Sequence, residues 1–106
     1  MSNRSRAKGI AGEREVAAVY EAAGAAVRGL EGSGDHAIFL DALGVRHAVL
    51  HSEVKRYAAR AKVPEWWRQC SSEAPHGAVP VLHTRADRGE WLVTLRLYDF
   101  VGLLGE

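Results

Sequence analysis

The chain contains a single cysteine, Cys70, among its 106 residues. One cysteine excludes an internal disulfide and a cysteine-rich zinc site. No apolar run approaches the roughly 20 residues that a helix needs to cross a bilayer. The basic start of the chain is not followed by an apolar segment, so it is not typical of a signal peptide. These absences predict a cytoplasmic protein without a membrane partner.

The composition that remains is that of a soluble globular domain, with 47% hydrophobic and 25% charged residues. We predict one domain over residues 8–106, preceded by a flexible basic tail over residues 1–7. A net charge of only +1 argues weakly against a nucleic-acid partner. The basic residues are nevertheless clustered, and two blocks contain no acids: Arg4, Arg6 and Lys8 in the first, and Lys55, Arg56, Arg60 and Lys62 in the second.

The hydrophobic pattern predicts an α-β-β-β-α-β-β-α order of elements. Residues 7–23 favour a helix that stops at Gly24, and a second helix starts at Pro64 and ends before Pro75. Strands are predicted at residues 25–28, 36–40, 45–54, 78–84 and 90–97, and Asp99 is predicted to cap a short last helix. Pro80 inside the fourth strand favours an edge or a bulge. The order indicates an α/β or α+β fold with a mixed central sheet flanked by helices.

Three acids and one lysine form the candidate site. Asp35 directly precedes the second strand, and Glu53 and Lys55 project from the same side of the third strand, roughly 7 Å apart. Glu13 points into the apolar side of the first helix, where an unpaired carboxylate costs several kcal/mol, on the order of 3–5. An arginine partner would satisfy Glu13 without any catalytic role. We predict instead that these residues bind a divalent cation.

The predicted metal ligands are Asp35, Glu53 and the main-chain carbonyl of Val54, because hard cations such as Mg²⁺ prefer oxygen. Glu13 would bind a second ion directly or through water. Lys55 would position or activate the attacking water, or stabilise charge on a phosphate. Each piece alone is weak, since Glu-x-Lys pairs are common on surface strands and Gly-Asp is common in turns. Their combination favours function.

Histidines offer an alternative that the sequence supports poorly. Asp35-His36 could begin a His-Asn-His nuclease site, but the only asparagine, Asn3, lies upstream. His51 and His83 could serve as bases or zinc ligands, although their spacing is not that of a zinc site. A strand histidine is more often a packing or surface residue. His51 shares the predicted face of Glu53 and is a candidate substrate contact.

With these residues in place, the chain resembles archaeal-type Holliday junction resolvases of the PD-(D/E)XK nuclease superfamily. Lys8-Gly9 with Glu13-Arg14-Glu15 is similar to the opening motif of that family. Asp35 matches its metal-binding aspartate, and Glu53-Val54-Lys55 matches its Glu-x-Lys strand. The likeness extends over residues 8–101.

The resemblance implies a restriction-endonuclease-like core and a homodimer that resolves four-way DNA junctions by cutting two strands, one per active site. It implies Mg²⁺ or Mn²⁺ as cofactor, products with a 5′-phosphate, and roles in DNA recombination and repair. The implied catalytic residues are Glu13, Asp35, Glu53 and Lys55. Together with the basic blocks, it gives these DNA-binding candidates: Lys8, Arg14, Ser33, Arg56, Arg60 and Lys62.

Two other functions stay open at this stage. The chain could be a PD-(D/E)XK endonuclease without junction preference, such as a nicking or repair enzyme. It could also be a DNA-binding module that keeps the fold without turnover. The complete set of acids and lysine argues against the second option, because a decayed site usually loses one of them.

Overall fold

The computed structural model describes residues 3–29, 35–43 and 48–105, and the side chains of these residues except 3–8 and 42. The predicted loop around Ser33, the turn at Gly44 and the start of the third strand lie outside these ranges. The described residues form three helices, five strands and one 3-10 turn: α1 Asn3–Ala22, β1 Ala26–Gly29, β2 His36–Phe39, the turn Asp41–Leu43, β3 Val49–Tyr57, α2 Val63–Glu73, β4 Val79–Ala86, β5 Leu92–Thr94 and α3 Leu97–Leu104.

The five strands form one mixed sheet in the order β1-β2-β3-β4-β5. The first three strands pair antiparallel, β3 and β4 pair parallel, and β5 is antiparallel to β4. The parallel pair is joined through α2, as parallel strands require a crossover connection. The predicted order of helices and strands and the mixed α/β class are therefore confirmed.

The two long helices pack on opposite faces of the sheet. A Cβ added to Gly12 of α1 would lie 3.1 Å from the Arg56 side chain and 3.4 Å from Val54. Because side chains alternate along a strand, Glu53 and Lys55 face away from α1. Helix α2 packs against β3 and β4 and places the fully buried Cys70 beside this second face.

The hydrophobic core includes residues from β2, β3 and β4 that lie close together. Ile38 and Leu50 are opposite each other across the β2–β3 pair and are almost fully buried. Tyr20 of α1 packs against this cluster, which also contains Val81. Helix α1 ends at Ala22, and the predicted stop residue Gly24 follows in the left-handed region with a φ of 104°.

Several predicted boundaries differ from the structure. Helix α1 begins at Asn3 rather than at residue 7, so residues 3–7 of the predicted tail are helical. Strand β3 continues past residue 54 to Tyr57, and β5 has only three residues instead of eight. The apolar residues after Thr94 pass into α3, because a short apolar run fits either a strand or a helix.

The structure tests two local predictions, the helix cap at Asp99 and the edge or bulge at Pro80. Asp99 does not cap α3, because the helix starts two residues earlier with Arg96 at the N-cap position. The Asp99 carboxylate instead lies 3.7 Å from the Arg96 guanidinium. Pro80 lies in an internal strand, yet β5 pairs only with residues Leu82–Thr84. Within the described part of the chain, Pro80 therefore has a strand on one side only.

Candidate metal centre

The pairing of β2 with β3 brings the predicted acids together. His36 pairs with Ser52, so continuing the antiparallel register by one residue sets Asp35 opposite Glu53. Directly opposite residues on adjacent strands project from the same face of a sheet. Two residues earlier on β3, His51 projects from this face as well. The sequence therefore places two carboxylates and an imidazole at the point where β2 begins.

Four side chains form a compact group at this point. Asp35, His51, Glu53 and Glu73 each offer one ligand atom, and these atoms all lie within 4.8 Å of one another. The first three are buried, with exposures of 5%, 3% and 5%, whereas Glu73 is exposed. Glu73 is the last residue of α2, so the group joins that helix to the sheet.

Several polar atoms of this group are buried without a hydrogen-bond partner. These are both ring nitrogens of His51 and Oε2 of Glu53. His51 Nε2 is 3.1 Å from Oδ2 of Asp35, but this contact lacks hydrogen-bond geometry. Ligands on one octahedral ion, with bonds of about 2.0–2.1 Å, lie about 3 Å apart. The spacing and the unsatisfied atoms both fit a shared cation.

The electrostatics of the group also favour a cation. Burial raises the pKa of Asp35 to about 8; the hydrogen bond that a protonated Asp35 donates to Glu53 and the repulsion between the two charged carboxylates add to the shift, with weaker effects from Glu73. Carboxylates this close cannot all be ionised unless positive charge compensates them. Without a metal ion, a proton on Asp35 relieves the repulsion. A divalent cation would replace that proton.

Lys55 and Cys70 complete the surroundings of Glu53. Lys55 Nζ lies 3.2 Å from Glu53 Oε1, and the lysine side chain is 28% exposed. Burial, with the charges of Glu53 and Asp35, raises the pKa of the Cys70 thiol to about 12, although a backbone hydrogen bond at Glu53 opposes the shift. Cys70 is therefore a neutral packing residue. Lys55 and Glu73 mark the side of the group that is open to solvent.

Glu13 lies near this group but is not part of it. Burial raises the pKa of the half-buried Glu13 carboxyl, the imidazole of His36 lowers it, and the charge of Glu53 raises it. Glu13 has no ion-pair partner among the residues whose side chains are described. The arginine partner considered above is therefore absent from that set. Its predicted role as a direct ligand stays a prediction.

At Val54, strand β3 has a described partner strand on one side only. Strand β2 pairs with residues Val49–Ser52, so from Glu53 onward β3 pairs only with β4 in the described structure. The Val54 side chain faces Gly12 of α1. Its carbonyl as a metal ligand stays a prediction.

The predicted DNA-binding residues are dispersed. Arg14 on α1 and Arg60 and Lys62 after β3 are exposed. Lys8 lies on α1, but its side chain is outside the described set, as is all of Ser33. Arg56 is held by ion pairs of 3.6 Å to Glu15 and 3.5 Å to Asp87, on the α1 side of the sheet. These ion pairs make Arg56 a link within the protein rather than a free cation.

His83 has a structural environment, in agreement with the packing interpretation. Its Nε2 lies 2.7 Å from the Tyr20 hydroxyl, and its Nδ1 lies 3.1 Å from Ser52 Oγ and 3.3 Å from the Glu53 carbonyl oxygen. A neutral ring with its proton on Nδ1 satisfies both sides, because Tyr20 then donates to Nε2. Burial lowers the pKa of His83 to about 4. Its neutral, buried ring faces away from the group of Asp35, His51, Glu53 and Glu73, hereafter the metal group.

Sequence reasoning missed two members of the group as ligands. Strand alternation places His51 on the correct face, but its spacing is not that of a zinc site, and the sequence predicted a substrate contact rather than a ligand. Glu73 carried no local signal, because its position depends on how α2 docks against β3 and β4. The other three members of the group are 20 or more residues away along the chain.

Comparisons with known proteins give no family assignment. No family model matches the chain, and neither a curated protein nor a solved structure matches it significantly. In the part of the chain that is described, no helix is sufficiently long and apolar to span a bilayer.

Proposed function

We propose that this chain is a metal-dependent DNA endonuclease with a restriction-endonuclease-like core, and that it resolves four-way junctions. The observation that carries the proposal is the buried Asp35–Glu53 pair with Lys55 at 3.2 Å from Glu53. Two further observations support it: the α-β-β-β-α-β-β-α order, and the position of the acids at the start of β2, where its pairing with β3 begins.

The donor set fits a divalent cation, because it contains unpartnered buried atoms at ligand spacing. Asp35, Glu53, Glu73 and His51 would hold the ion. A bound Mg²⁺ or Mn²⁺ supplies a Lewis acid for the phosphate and lowers the pKa of water.

The remaining chemistry belongs to Lys55 and its neighbours. The Lys55 ammonium, held by Glu53 Oε1, is positioned to orient the attacking water or to stabilise negative charge that develops on the phosphate. Burial of Asp35, His51 and Glu53 restricts water around the group and strengthens these interactions. Glu13, close to Glu53, is suited to a second ion or to a water-mediated contact.

The exposed cations suggest how DNA approaches. Arg60 and Lys62 follow β3, three and five residues beyond its last residue, Tyr57. Together with Arg14 of α1, they are candidates for phosphate contacts, which position nucleic acid without reading its sequence.

A homodimer is part of the proposal, since paired cuts at a junction need two sites. Helix α3 and β5 expose large apolar side chains, among them Leu97 at 72% and Tyr98 at 90% exposure. The other exposed apolar residues of this surface are Leu92, Val93, Phe100, Val101 and Leu104. Contiguous exposed apolar area often marks a protein–protein contact.

The test is cleavage of a four-way junction, a linear duplex and a flap, each with and without Mg²⁺ or Mn²⁺. We expect metal-dependent cutting confined to the junction. Asp35→Asn is expected to abolish cutting while the fold and DNA binding persist, and the exposed Glu65→Gln on α2 is the matched control. Cleavage by Asp35→Asn at the wild-type rate would refute the metal-site assignment.

The other outcomes separate the alternatives. Cutting of all three substrates would indicate a general nicking or repair endonuclease. DNA binding without cutting, under every metal condition, would indicate a non-catalytic module.

A further inference from the structure

We propose that the metal group selects a first-row transition dication, with Mn²⁺ as its representative, over Mg²⁺, and that Nε2 of His51 is the ligand responsible. This inference rests on the metal site of the proposed function, but it makes no use of DNA cleavage.

His51 is placed as a ligand rather than as a general base or a surface residue. It is in the paired part of β3, opposite Ala37, and its exposure is 3%. Neither of its ring nitrogens has a hydrogen-bond partner among the described residues. Buried polar atoms in native proteins are nearly always hydrogen-bonded, whereas His51 has only an ion-pair contact of 3.1 Å with Asp35, so this buried imidazole requires an explanation.

The geometry supplies that explanation. His51 Nε2 is 3.1 Å from an Asp35 oxygen without hydrogen-bond geometry, and both belong to the group whose ligand atoms lie within 4.8 Å. Glu53 Oε2 is also buried without a partner, while Oε1 is used by Lys55. A cation among these atoms would satisfy an imidazole nitrogen and a carboxylate oxygen together.

The type of donor decides which cation is preferred. Mg²⁺ demands oxygen ligands and keeps several waters, whereas imidazole favours first-row transition metals. Carboxylates accept both classes of ion. The nitrogen of His51 is therefore the ligand atom that distinguishes transition dications from Mg²⁺.

The first test measures binding of Mg²⁺ and Mn²⁺ to the full chain by calorimetry, in the absence of DNA. We expect Mn²⁺ to bind at least tenfold more tightly than Mg²⁺. In His51→Gln the preference should fall to about twofold or less, whereas the exposed His76→Gln should retain it. Equal affinity of the wild-type chain for the two ions would overturn the inference.

Pulsed electron paramagnetic resonance of the Mn²⁺-loaded wild-type chain provides a readout that does not depend on how a variant folds. Nitrogen bound directly to Mn²⁺ modulates the spin echo, and labelling histidine with nitrogen-15 changes that modulation. We expect the histidine signal in the wild type, its loss in folded His51→Gln and its retention in His36→Gln. Bound Mn²⁺ without histidine coupling would overturn the inference.

The two proposals fail in different ways. Mn²⁺ bound through His51 without cleavage of any DNA would refute the nuclease and leave the ligand assignment intact. Cleavage with Mn²⁺ bound by oxygen alone would refute only the role of His51. Binding of neither ion would refute both.

Discussion

Glu53 divides its carboxylate between two tasks, since Oε1 contacts Lys55 while the buried Oε2 has no hydrogen-bond partner. This division separates Lys55 from the metal ligands. In the proposed reaction the lysine acts on the phosphate or the water, while the second oxygen of Glu53 stays available for the ion.

Lys55→Ala should therefore slow cleavage more than it weakens DNA binding. We expect a loss of about 100-fold in the single-turnover rate, as for removal of one charge-stabilising donor. DNA affinity should change only a few-fold. Lys62→Ala, at an exposed position, should instead reduce DNA affinity and leave the rate at which bound DNA is cleaved nearly unchanged. Loss of affinity alone in Lys55→Ala would make this residue a simple phosphate contact.

His83 should make the protein less stable in acid. Its pKa is lowered in the folded state to about 4, so the unfolded chain binds the proton more readily. The stability that the folded state has at neutral pH is unaffected by His83 above about pH 6.5. Part of it is progressively lost as the pH falls toward 4, because the unfolded chain then gains a proton on His83 that the folded state does not. The full loss is about 3 kcal/mol.

Asp35 acts in the opposite direction, because protonation of its raised-pKa carboxyl favours the folded state. The measurement is therefore the difference in unfolding free energy between the wild type and His83→Gln, in which the contribution of Asp35 cancels. That difference should shrink between pH 7 and pH 4. A pH-independent difference would show that His83 is not buried as a neutral ring.

Individual site residues differ in how far the sequence could specify them. Strand alternation puts Glu53 and Lys55 on one face, whereas the register of β2 against β3, which sets Asp35 opposite Glu53, is seen only in the structure. The same alternation located His51 but gave no reason to expect unpartnered nitrogens. Glu73 required the docking of α2, which is set by tertiary packing rather than by local pattern.

Among the elements, helix α1 packs closely on strand β3 at Gly12. Gly12 lies over the Arg56 side chain, where an added Cβ would be only 3.1 Å from Cγ and Cδ. Gly9, on the same helix, has no neighbour within 4 Å of such a Cβ. The two glycines therefore form a matched pair.

Gly12→Val should destabilise the protein by about 1–3 kcal/mol, because its branched side chain overpacks the α1–β3 contact. Gly9→Ala should instead stabilise it, by up to about 1 kcal/mol, since alanine favours the helix and nothing obstructs it. Chemical denaturation measures both changes. Equal stability of the two variants would contradict the close packing of α1 on β3.

Element boundaries were less predictable than element order. Strand β3 and helix α2 have long, consistent patterns, and both were expected. Residues 92–104 contain apolar positions that satisfy a strand and a helix equally well, so the change from β5 to α3 could not be located. The early start of α1 adds residues 3–6, of which Arg4 and Arg6 have high helix propensity.

For the molecule as a whole, β5 and α3 expose a large apolar surface that no other part of the described chain covers. Leu97 and Val101 are four residues apart on α3, so they lie on the same side of the helix, and both are exposed. A second copy of the chain would remove this surface from water.

The double variant Leu97→Glu/Val101→Glu should raise the dimer dissociation constant at least 100-fold, because it sets charge into an apolar contact. Sedimentation equilibrium over a range of concentrations measures this change. Glu21→Arg, an exposed substitution on α1, is the control and should leave the dimer intact. A wild-type chain that stays monomeric at high micromolar concentration would remove α3 as a dimer contact.

The central claim is that Asp35, His51, Glu53 and Glu73 surround one divalent cation. Anomalous diffraction from crystals grown with Mn²⁺ tests this most directly, because the signal identifies and locates the ion. We predict one peak bonded to His51 Nε2 and to oxygens of Asp35 and Glu53, at about 2.0–2.3 Å. No peak there, with Asp35 protonated and hydrogen-bonded to Glu53, would contradict the account.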